Sequence, residues 1–300
     1  MKYLAGLILC IIFTPILSGQ EKTSSNTETS TNQTATPDIN GKKDLPKEIT
    51  SLIANLTNDN PFTADEAREE LLRIGQPAVP FLITALPGGN PELQYLVCEI
   101  LAELRDHQAV APLIHILQNE KGEYIEALAA VAARSLGYLA DPAAVPSLME
   151  SLKSSDVELR YESIRTLGIL RAKEAAPEII KALNDNALTV FGRLVKCAAI
   201  EALGRLQNKE AVKELMPLIK DQTVEEAMDE DKKTVGEYVI KALEKITEHT
   251  EGSIHSADEK QKEEIIKKWE EWWNAHKTEY GAASIEKTPL IPPTTEEKSK

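Results

Sequence analysis

Three tryptophans lie close together near the C-terminal end of this sequence, in the segment KKWEEWWNAHK at residues 267–277. Trp269, Trp272 and Trp273 are spaced i, i+3 and i+4, so a helix would place all three indole rings on one face. Such a face can form an aromatic cage for a cationic or sugar ligand, which needs ring faces open to water. It can also close a hydrophobic core, where each indole buries about 150–250 Å². The helices that precede the segment decide between these uses.

The other side chains that could carry chemistry are scattered. The sequence has five histidines, and none forms the H-x-x-x-H spacing of a helical metal site: His107, His115, His249, His255 and His276. No G-x-S-x-G, Walker A or dinucleotide-binding glycine pattern occurs. The acidic run VEEAMDEDKK at residues 224–233 lacks the glycine and closing glutamate of a calcium loop, so we interpret it as a solvated insertion. We therefore predict no catalytic, cofactor-binding or metal-binding residues, and a protein that is not an enzyme.

The composition favours helices packed through aliphatic side chains. Apolar residues make up 42% of the 300 residues, and aromatic residues only 5%. The 34 basic and 48 acidic side chains give a formal net charge of −14, which repels nucleic-acid phosphate and anionic membrane surfaces. We predict that the partner is a protein or peptide and not a nucleic acid.

The N-terminal segment has the features of a secretory signal peptide. Residues 1–19 begin with a basic side chain, continue with an apolar run and end in small residues. An uncleaved membrane anchor and lipidation at Cys10 are open alternatives. Residues 20–46 and 281–300 are poor in large apolar side chains and are expected to be disordered. We expect an exported protein, periplasmic or secreted, that meets a membrane only through an uncleaved N-terminal segment.

Between these segments one amphipathic helix occurs five times. Apolar residues follow an aligned alanine by four, five and eight positions, which lie on one helical face. The aligned alanines are Ala78, Ala109, Ala144, Ala175 and Ala211. Another helix precedes these copies, with a leucine eight residues before the alanine: Leu101, Leu136, Leu167 and Leu203. These leucines and Leu243 recur every 31 to 40 residues, the period of helical-pair repeats.

Small residues directly follow these leucines in the first helix of each pair: Ala102, Gly137, Gly168 and Gly204. We expect them to let the two helices of one pair approach closely near their turn. The two remaining cysteines, Cys98 and Cys197, lie three repeats apart. Because packed helices are about 8–10 Å apart and a disulfide needs Cα atoms within about 7 Å, we predict two buried thiols without a disulfide.

These residues resemble HEAT repeats, in the short form of the phycobilisome bilin lyases, and DVELRYESIRTLGILRAKEAAPEIIKALND is the clearest copy. The resemblance implies an all-α, right-handed solenoid of helical pairs over residues 47–280, with the second helices lining its concave side. It also implies an arginine seven residues before the leucine, and this position reads Gln94, Ala129, Arg160 and Lys196. The C-terminal segment resembles exported bacterial HEAT-repeat proteins that end in a W-x-x-W-W helix.

The last helix is expected to cap the solenoid. We predict it over residues 257–277, with Ser256 and Glu259 as its capping box. The apolar side chains of this helix fall within an arc of about 120°, and the open end of a solenoid needs a cover. Trp269, Trp272 and Trp273 are therefore predicted to be a structural cap.

The remaining candidate site is a surface. On the second helices, positions three, six and nine after the alanine avoid the buried stripe and do not repeat, so a partner could select them. We predict protein-binding residues there: His115, Gln118, Glu150, Lys153, Lys181 and Asn184. The function predicted is a non-enzymatic protein-binding scaffold without a cofactor. The alternatives are a cell-envelope protein that binds glycan through the tryptophans and a chromophore-handling enzyme like the bilin lyases.

Overall fold

The computed structural model of the chain is helical. The residues that it describes are 44–88, 90–119, 124, 126–226, 233–254 and 257–281. β-pairing in these residues is limited to two isolated bridges, Leu188–Leu194 and Val224–Thr234. The predicted all-α class is confirmed. The predicted signal peptide, most of the predicted linker and nearly all of the predicted tail lie outside the described residues.

The described residues fall into two compact units, one ending at Leu104 and the other beginning at Arg105. The first unit contains α1 Leu45–Asn55, α2 Pro61–Ile74, α3 Val79–Ala85 and α4 Pro91–Leu104. The second contains α5 Val110–Gln118, α6 Glu126–Leu139, α7 Val145–Ser151, α8 Val157–Ile169, α9 Ala176–Lys181, α10 Val195–Leu206, α11 Val212–Leu215, α12 Val235–Thr247 and α13 Glu259–His276. Over the described residues, no helix combines the length and apolarity needed to cross a bilayer.

The five aligned alanines occupy one structural position. Each ends a short 3₁₀ turn, and the second helix of the pair starts at the next residue. All five side chains are fully buried, as are the apolar residues four positions later. Polar side chains cap three of the turns by accepting a backbone N–H: Asp106, Asp141 and Asn208. The register of the second helices is therefore as predicted from the sequence.

The glycines of the first helices lie at contacts between successive repeats, and not at the predicted contact within one helical pair. A Cβ atom on Gly168 would lie 2.9 Å from both Cα and Cβ of Ala202, and one on Gly204 would lie 3.1 Å from Cα of Ala242. Ala202 and Ala242 belong to the first helices of the following repeats. The glycines therefore let α8, α10 and α12 approach one another across repeats, and the expectation of a close contact within one pair is wrong.

The position that often carries arginine forms two equivalent contacts between repeats. Arg160 Nε donates to Asp185 Oδ2 at 2.8 Å, and Lys196 Nζ lies 3.5 Å from Asp221 Oδ2. Each aspartate follows its cation by 25 residues. Gly236 occupies the next equivalent position, where a Cβ atom would come within 2.4 Å of the Ile219 carbonyl oxygen. Lysine thus replaces arginine in the second contact, and the series ends at Gly236.

Residues with left-handed backbone stand one or two positions after the last five first helices: Arg105, Ala140, Arg171, Gln207 and Glu248. Their φ angles lie between 50° and 58°, a region that favours glycine because it has no Cβ atom. The N–H of Ala140 donates to the Leu136 carbonyl at 3.1 Å, so this conformation closes the end of α6. α2 ends at Gly75, whose φ is 74°, whereas these five later first helices end through the same kind of backbone geometry without a glycine.

The bounds of α13 differ slightly from the predicted residues 257–277. The N-cap is Asp258, whose side chain accepts from the Gln261 N–H, and the Gln261 side chain accepts from the Asp258 N–H. This is a capping box two residues after the predicted one, and Glu259 is the first helical residue. The predicted cap, Ser256, lies outside the described residues. The helix ends at His276, one residue before the predicted end.

Candidate protein-binding surface

The six predicted protein-binding residues lie on or just after three successive second helices. His115 and Gln118 belong to α5, Glu150 to α7 and Lys181 to α9. Lys153 follows α7, and Asn184 ends the 3₁₀ turn after α9. Five of the six are exposed, and His115 is half-buried. We call these six residues the second-helix face.

Short polar contacts connect this face. Gln118 Nε2 donates to Ser147 Oγ at 3.2 Å, which joins α5 to α7. Lys153 pairs with Glu150 at 2.7 Å, and Lys181 pairs with Glu178 at 2.7 Å. The hydrogen bond and charge of Glu150, with the charge of Glu178, raise the pKa of Lys153. The face therefore carries both signs of charge, with the carboxylates one turn before the ammonium groups.

His115 is held more firmly than its neighbours on the face. Its ring meets the ring of Tyr124 edge-on, with centroids 5.9 Å apart and planes at 85°. Tyr124 is buried, and the Asn119 side chain accepts from its N–H and donates to its carbonyl. The imidazole therefore stands in a fixed position at one end of the second-helix face.

The three tryptophans differ in burial. Trp269 is 0% exposed, and its Nε1 has no hydrogen-bond partner among the described residues. Trp272 and Trp273 are half-buried. The helix that carries them is attached through Lys262 to Glu237 of α12 at 2.9 Å, and through Glu270 to Lys220 at 2.5 Å. The assignment of all three as a structural cap stays a prediction.

Two histidine rings stack on the Trp272 indole, and the sequence predicted neither contact. His249 stacks on the indole with ring centroids 5.3 Å apart and planes at 15°. His276 stacks at 4.8 Å and 17°, and its Nδ1 lies 2.7 Å from the Trp272 carbonyl oxygen. The i, i+4 spacing of Trp272 and His276 could have indicated the second contact. No sequence signal brings His249, which lies in a different segment, to the same ring.

The acidic run contains a second group that the sequence did not predict. Glu225 is 6% exposed, so the interpretation of residues 224–233 as a solvated insertion is wrong at this position. Its carboxylate accepts from the Leu194 N–H at 3.0 Å and from the Tyr238 hydroxyl at 2.8 Å. Burial and this carboxylate raise the pKa of Tyr238. Glu225 therefore anchors the loop that follows α11.

No group of three or more His, Cys, Asp or Glu side chains that could hold a metal ion occurs among the described residues. Cys98 and Cys197 are both buried and form no disulfide, as predicted. Burial, followed by the nearby charge of Glu225, raises the pKa of the Cys197 thiol. A thiol that stays protonated is a weak nucleophile, so Cys197 is suited to packing and not to covalent chemistry.

Two repeat families match the middle of the chain. Residues 126–190 match HEAT repeats. Residues 195–221 match the PBS lyase HEAT-like repeat. The chain contains HEAT repeats. Their helical pairs account for α6 to α11, and the predicted all-α solenoid class is confirmed. None of the curated proteins matches this chain.

Several solved structures resemble the chain, among them the following three. One is the complex of CpcE and CpcF of phycocyanin lyase from Nostoc sp. PCC7120, with 28% identity and a TM-score of 0.47 over 57% of this chain and 65% of that chain. An engineered protein has 20% identity and a TM-score of 0.41 over 67% of this chain and 97% of its own. Human deoxyhypusine hydroxylase in complex with glycerol has 15% identity and a TM-score of 0.34 over 76% and 96%. The chain thus spans just under two thirds of its lyase neighbour, and TM-scores below 0.5 decide nothing about activity.

The family match corrects one prediction. We predicted from the absence of catalytic motifs that the chain is not an enzyme. Residues 195–221 match a repeat that takes its name from lyases, so this exclusion is wrong. The absent motifs belong to other enzyme classes, so their absence does not exclude an enzyme.

Proposed function

We propose that this protein is an exported scaffold that binds a protein or peptide on its second-helix face. One observation carries the proposal. The repeats keep their buried alanines and leucines in strict register, while the exposed positions of the same helices differ from repeat to repeat. Packing in the core fixes the buried residues, and contact with a partner would account for the variation at the exposed positions.

The chemistry of the face suits a protein partner. Carboxylates, ammonium groups, amides and one imidazole alternate over three helices, and protein interfaces use such mixed polar groups to set orientation and specificity. A polyanion would meet Glu150 and Glu178 beside every lysine of this face. The apolar run in residues 1–19 supports export to the periplasm or the extracellular space.

Affinity capture from the native cell envelope tests this proposal. The full chain and a triple variant, His115→Ala, Glu150→Ala and Lys181→Ala, serve as matched baits. We expect the triple variant to lose a captured protein while its melting temperature falls only slightly. Exposed positions such as Glu150 and Lys181 usually contribute less than about 0.5 kcal/mol each, and His115→Ala removes one edge-on ring contact.

A second triple variant provides the control. Glu201, Gln207 and Lys245 are also exposed, but they belong to or directly follow first helices. Replacing all three by alanine should leave capture unchanged. Equal capture by all three baits would refute the second-helix face as the binding site, and a large fall in melting temperature of the first variant would show that its residues stabilise the fold.

A second candidate function is the handling of a bilin chromophore. The match of residues 195–221 to the PBS lyase HEAT-like repeat favours it. Purified full-length chain mixed with a free bilin should then show a shifted visible absorption that co-elutes with the protein. An unchanged bilin spectrum, with no co-elution, would remove this candidate. The glycan alternative lacks a comparable observation, because His249 and His276 stack on the Trp272 ring and Trp269 is buried.

A further inference from the structure

Two loops between repeats are built alike. One covers residues 185–194 and the other begins at residues 221–226. Asp185 accepts from the Ala187 N–H at 3.0 Å, and Asp221 accepts from the Thr223 N–H at 2.9 Å. The next residues, Leu188 and Val224, each form an isolated antiparallel bridge. We call residues 185–194 and 221–226 the paired loops.

Polar contacts hold the paired loops in place. Glu158 of α8 accepts from the Val190 N–H, and Arg160 binds Asp185. Glu225 accepts from the Leu194 N–H at 3.0 Å, and this buried hydrogen bond joins the second loop directly to the first. Three contacts thus join the paired loops to α8 and to each other. Loops fixed in this way lose little further conformational entropy when a partner binds.

The paired loops nevertheless expose aliphatic side chains. Val190 is 73% exposed, Leu188 39% and Val224 37%. They are three of the seven large hydrophobic side chains that are exposed in the described parts of the chain. Leu188 bridges to Leu194, whose N–H contacts Glu225, the neighbour of Val224. The three exposed side chains therefore lie on two loops that a hydrogen bond joins directly. We treat them as one apolar patch, the kind of surface that marks an interaction site.

The charge around the patch is negative. Arg193 Nη1 lies 3.8 Å from Glu225, and Arg165 Nη1 lies 3.4 Å from Glu162, so these pairs cancel. Glu158 and Glu226 have no cationic partner in the described regions of the chain. Burial, and then the nearby Glu162 and Asp156, raise the pKa of Glu158. A cation brought beside Val190 would relieve this repulsion.

We infer that the paired loops are a second docking site, which takes an aliphatic segment of a partner protein with a lysine or arginine beside it. The aliphatic side chains would cover Leu188, Val190 and Val224, and the cation would meet Glu158 and Glu226. A second copy of this chain does not fit, because each copy carries a net charge of −14. The inference does not depend on the second-helix face, which presents different residues and both signs of charge.

Selection from a displayed library of random dodecapeptides tests the inference. The bait is the full chain, and clones that also bind its Val190→Glu variant are removed. We expect the surviving peptides to combine aliphatic residues with lysine or arginine. We expect Val190→Glu to weaken the measured Kd of a synthetic copy at least tenfold, and Glu226→Lys to weaken it several-fold.

Phe62→Glu provides the matched control, because Phe62 is 77% exposed and belongs to α2 in the other compact unit. It should leave Kd unchanged, and all three variants should keep the parental circular dichroism spectrum. Failure to enrich any peptide, enrichment of acidic peptides, or equal loss of affinity in Phe62→Glu would each overturn the inference. Concentration-dependent dimerisation of the parent that Val190→Glu abolishes would also overturn it, because the occupant would then be a second copy.

Discussion

Trp272 stacks with two imidazoles, and its ring contacts differ from those of the other tryptophans. His249 and His276 both lie nearly parallel to its indole, and the Trp269 ring meets it nearly edge-on at 5.3 Å. Trp273 meets the Tyr280 ring at a tilted angle, with centroids 6.3 Å apart. Because Trp269 is the most deeply buried of the three, removing its ring should cost the most stability. At the residue scale, stability should therefore depend on the tryptophans unequally.

Replacing Trp269 by alanine should lower the free energy of unfolding by about 3–5 kcal/mol, the usual cost of emptying a large buried aromatic site. Trp273→Ala should cost clearly less, because its ring is only half-buried. Urea denaturation followed by circular dichroism measures both. Equal losses in the two variants would contradict the burial pattern and would mean that the half-exposed ring carries as much packing as the buried one.

Neither thiol should react with a disulfide reagent such as DTNB in the folded protein at pH 8. Cys98 and Cys197 are buried, and the raised pKa of Cys197 keeps its thiol protonated. Both should react rapidly in 6 M guanidinium, which serves as the control. Fast reaction of one thiol without denaturant would show that its helix opens on the timescale of the assay.

At the scale of helices, backbone conformation sets where the first helices end and glycine sets how closely they pack. Ala140 has a φ of 53° one residue after α6. Gly168 sits where α8 meets the Ala202 backbone of α10. Each feature makes one residue type better suited than another at a single position, so each can be tested by exchanging glycine and alanine.

Ala140→Gly should stabilise the protein by about 0.5–1 kcal/mol, because glycine adopts positive φ without a steric cost. The expected readout is a higher urea midpoint with an unchanged slope. Ala143→Gly is the matched control. Ala143 lies in the 3₁₀ turn at residues 142–144, where glycine only adds freedom to the unfolded chain, so its midpoint should fall. A fall in both variants would argue against strain at Ala140.

Gly168→Ala should destabilise the protein by about 1–3 kcal/mol, since the new methyl group has no room against Ala202. In an Ala202→Gly background the same substitution should cost less, because part of the obstructing side chain has been removed. A double-mutant cycle measures this coupling. Independent, additive effects would show that the first helices do not meet at this point.

At the scale of the whole molecule, each repeat of a repeat protein is stabilised by contacts with its neighbours. Unfolding is therefore expected to begin in the repeat that has lost a contact. Trp269→Ala should therefore speed amide hydrogen exchange in α12 and α13 and leave α6 and α8 close to their parental rates. Mass spectrometry of peptic fragments resolves these segments. Uniform acceleration across the second compact unit would show that it unfolds as one cooperative body.

The sequence predicted the repeats well because burial imposes a period. Every aligned alanine is fully buried, and a 3.6-residue pattern predicts such positions without knowledge of the neighbours. Contacts between repeats were harder to predict. The close approach of Gly168 to Ala202 depends on which helix lies opposite, and the stacking of His249 on Trp272 joins residues with no shared spacing.

The candidate sites were predictable to different degrees for the same reason. The second-helix face follows from helical spacing alone, because positions off the buried stripe must reach solvent. The paired loops do not, because nothing in the acidic run at residues 224–233 indicates that Glu225 is buried against Leu194 and Tyr238. Loop conformation depends on partners that lie 13 and 31 residues away, which no local pattern contains.

The contacts of Arg160 with Asp185 and of Lys196 with Asp221 have a consequence for how such a chain can lengthen during evolution. Each cation and its aspartate lie 25 residues apart, so a tandem duplication of one repeat would carry both partners of the contact with it. The copied module would join its neighbours through interactions that already exist. The same contact cannot form at Gly236, because the Ile219 carbonyl fills the space that a cationic side chain would need. Growth by duplication is therefore open inside the array and blocked at its C-terminal end.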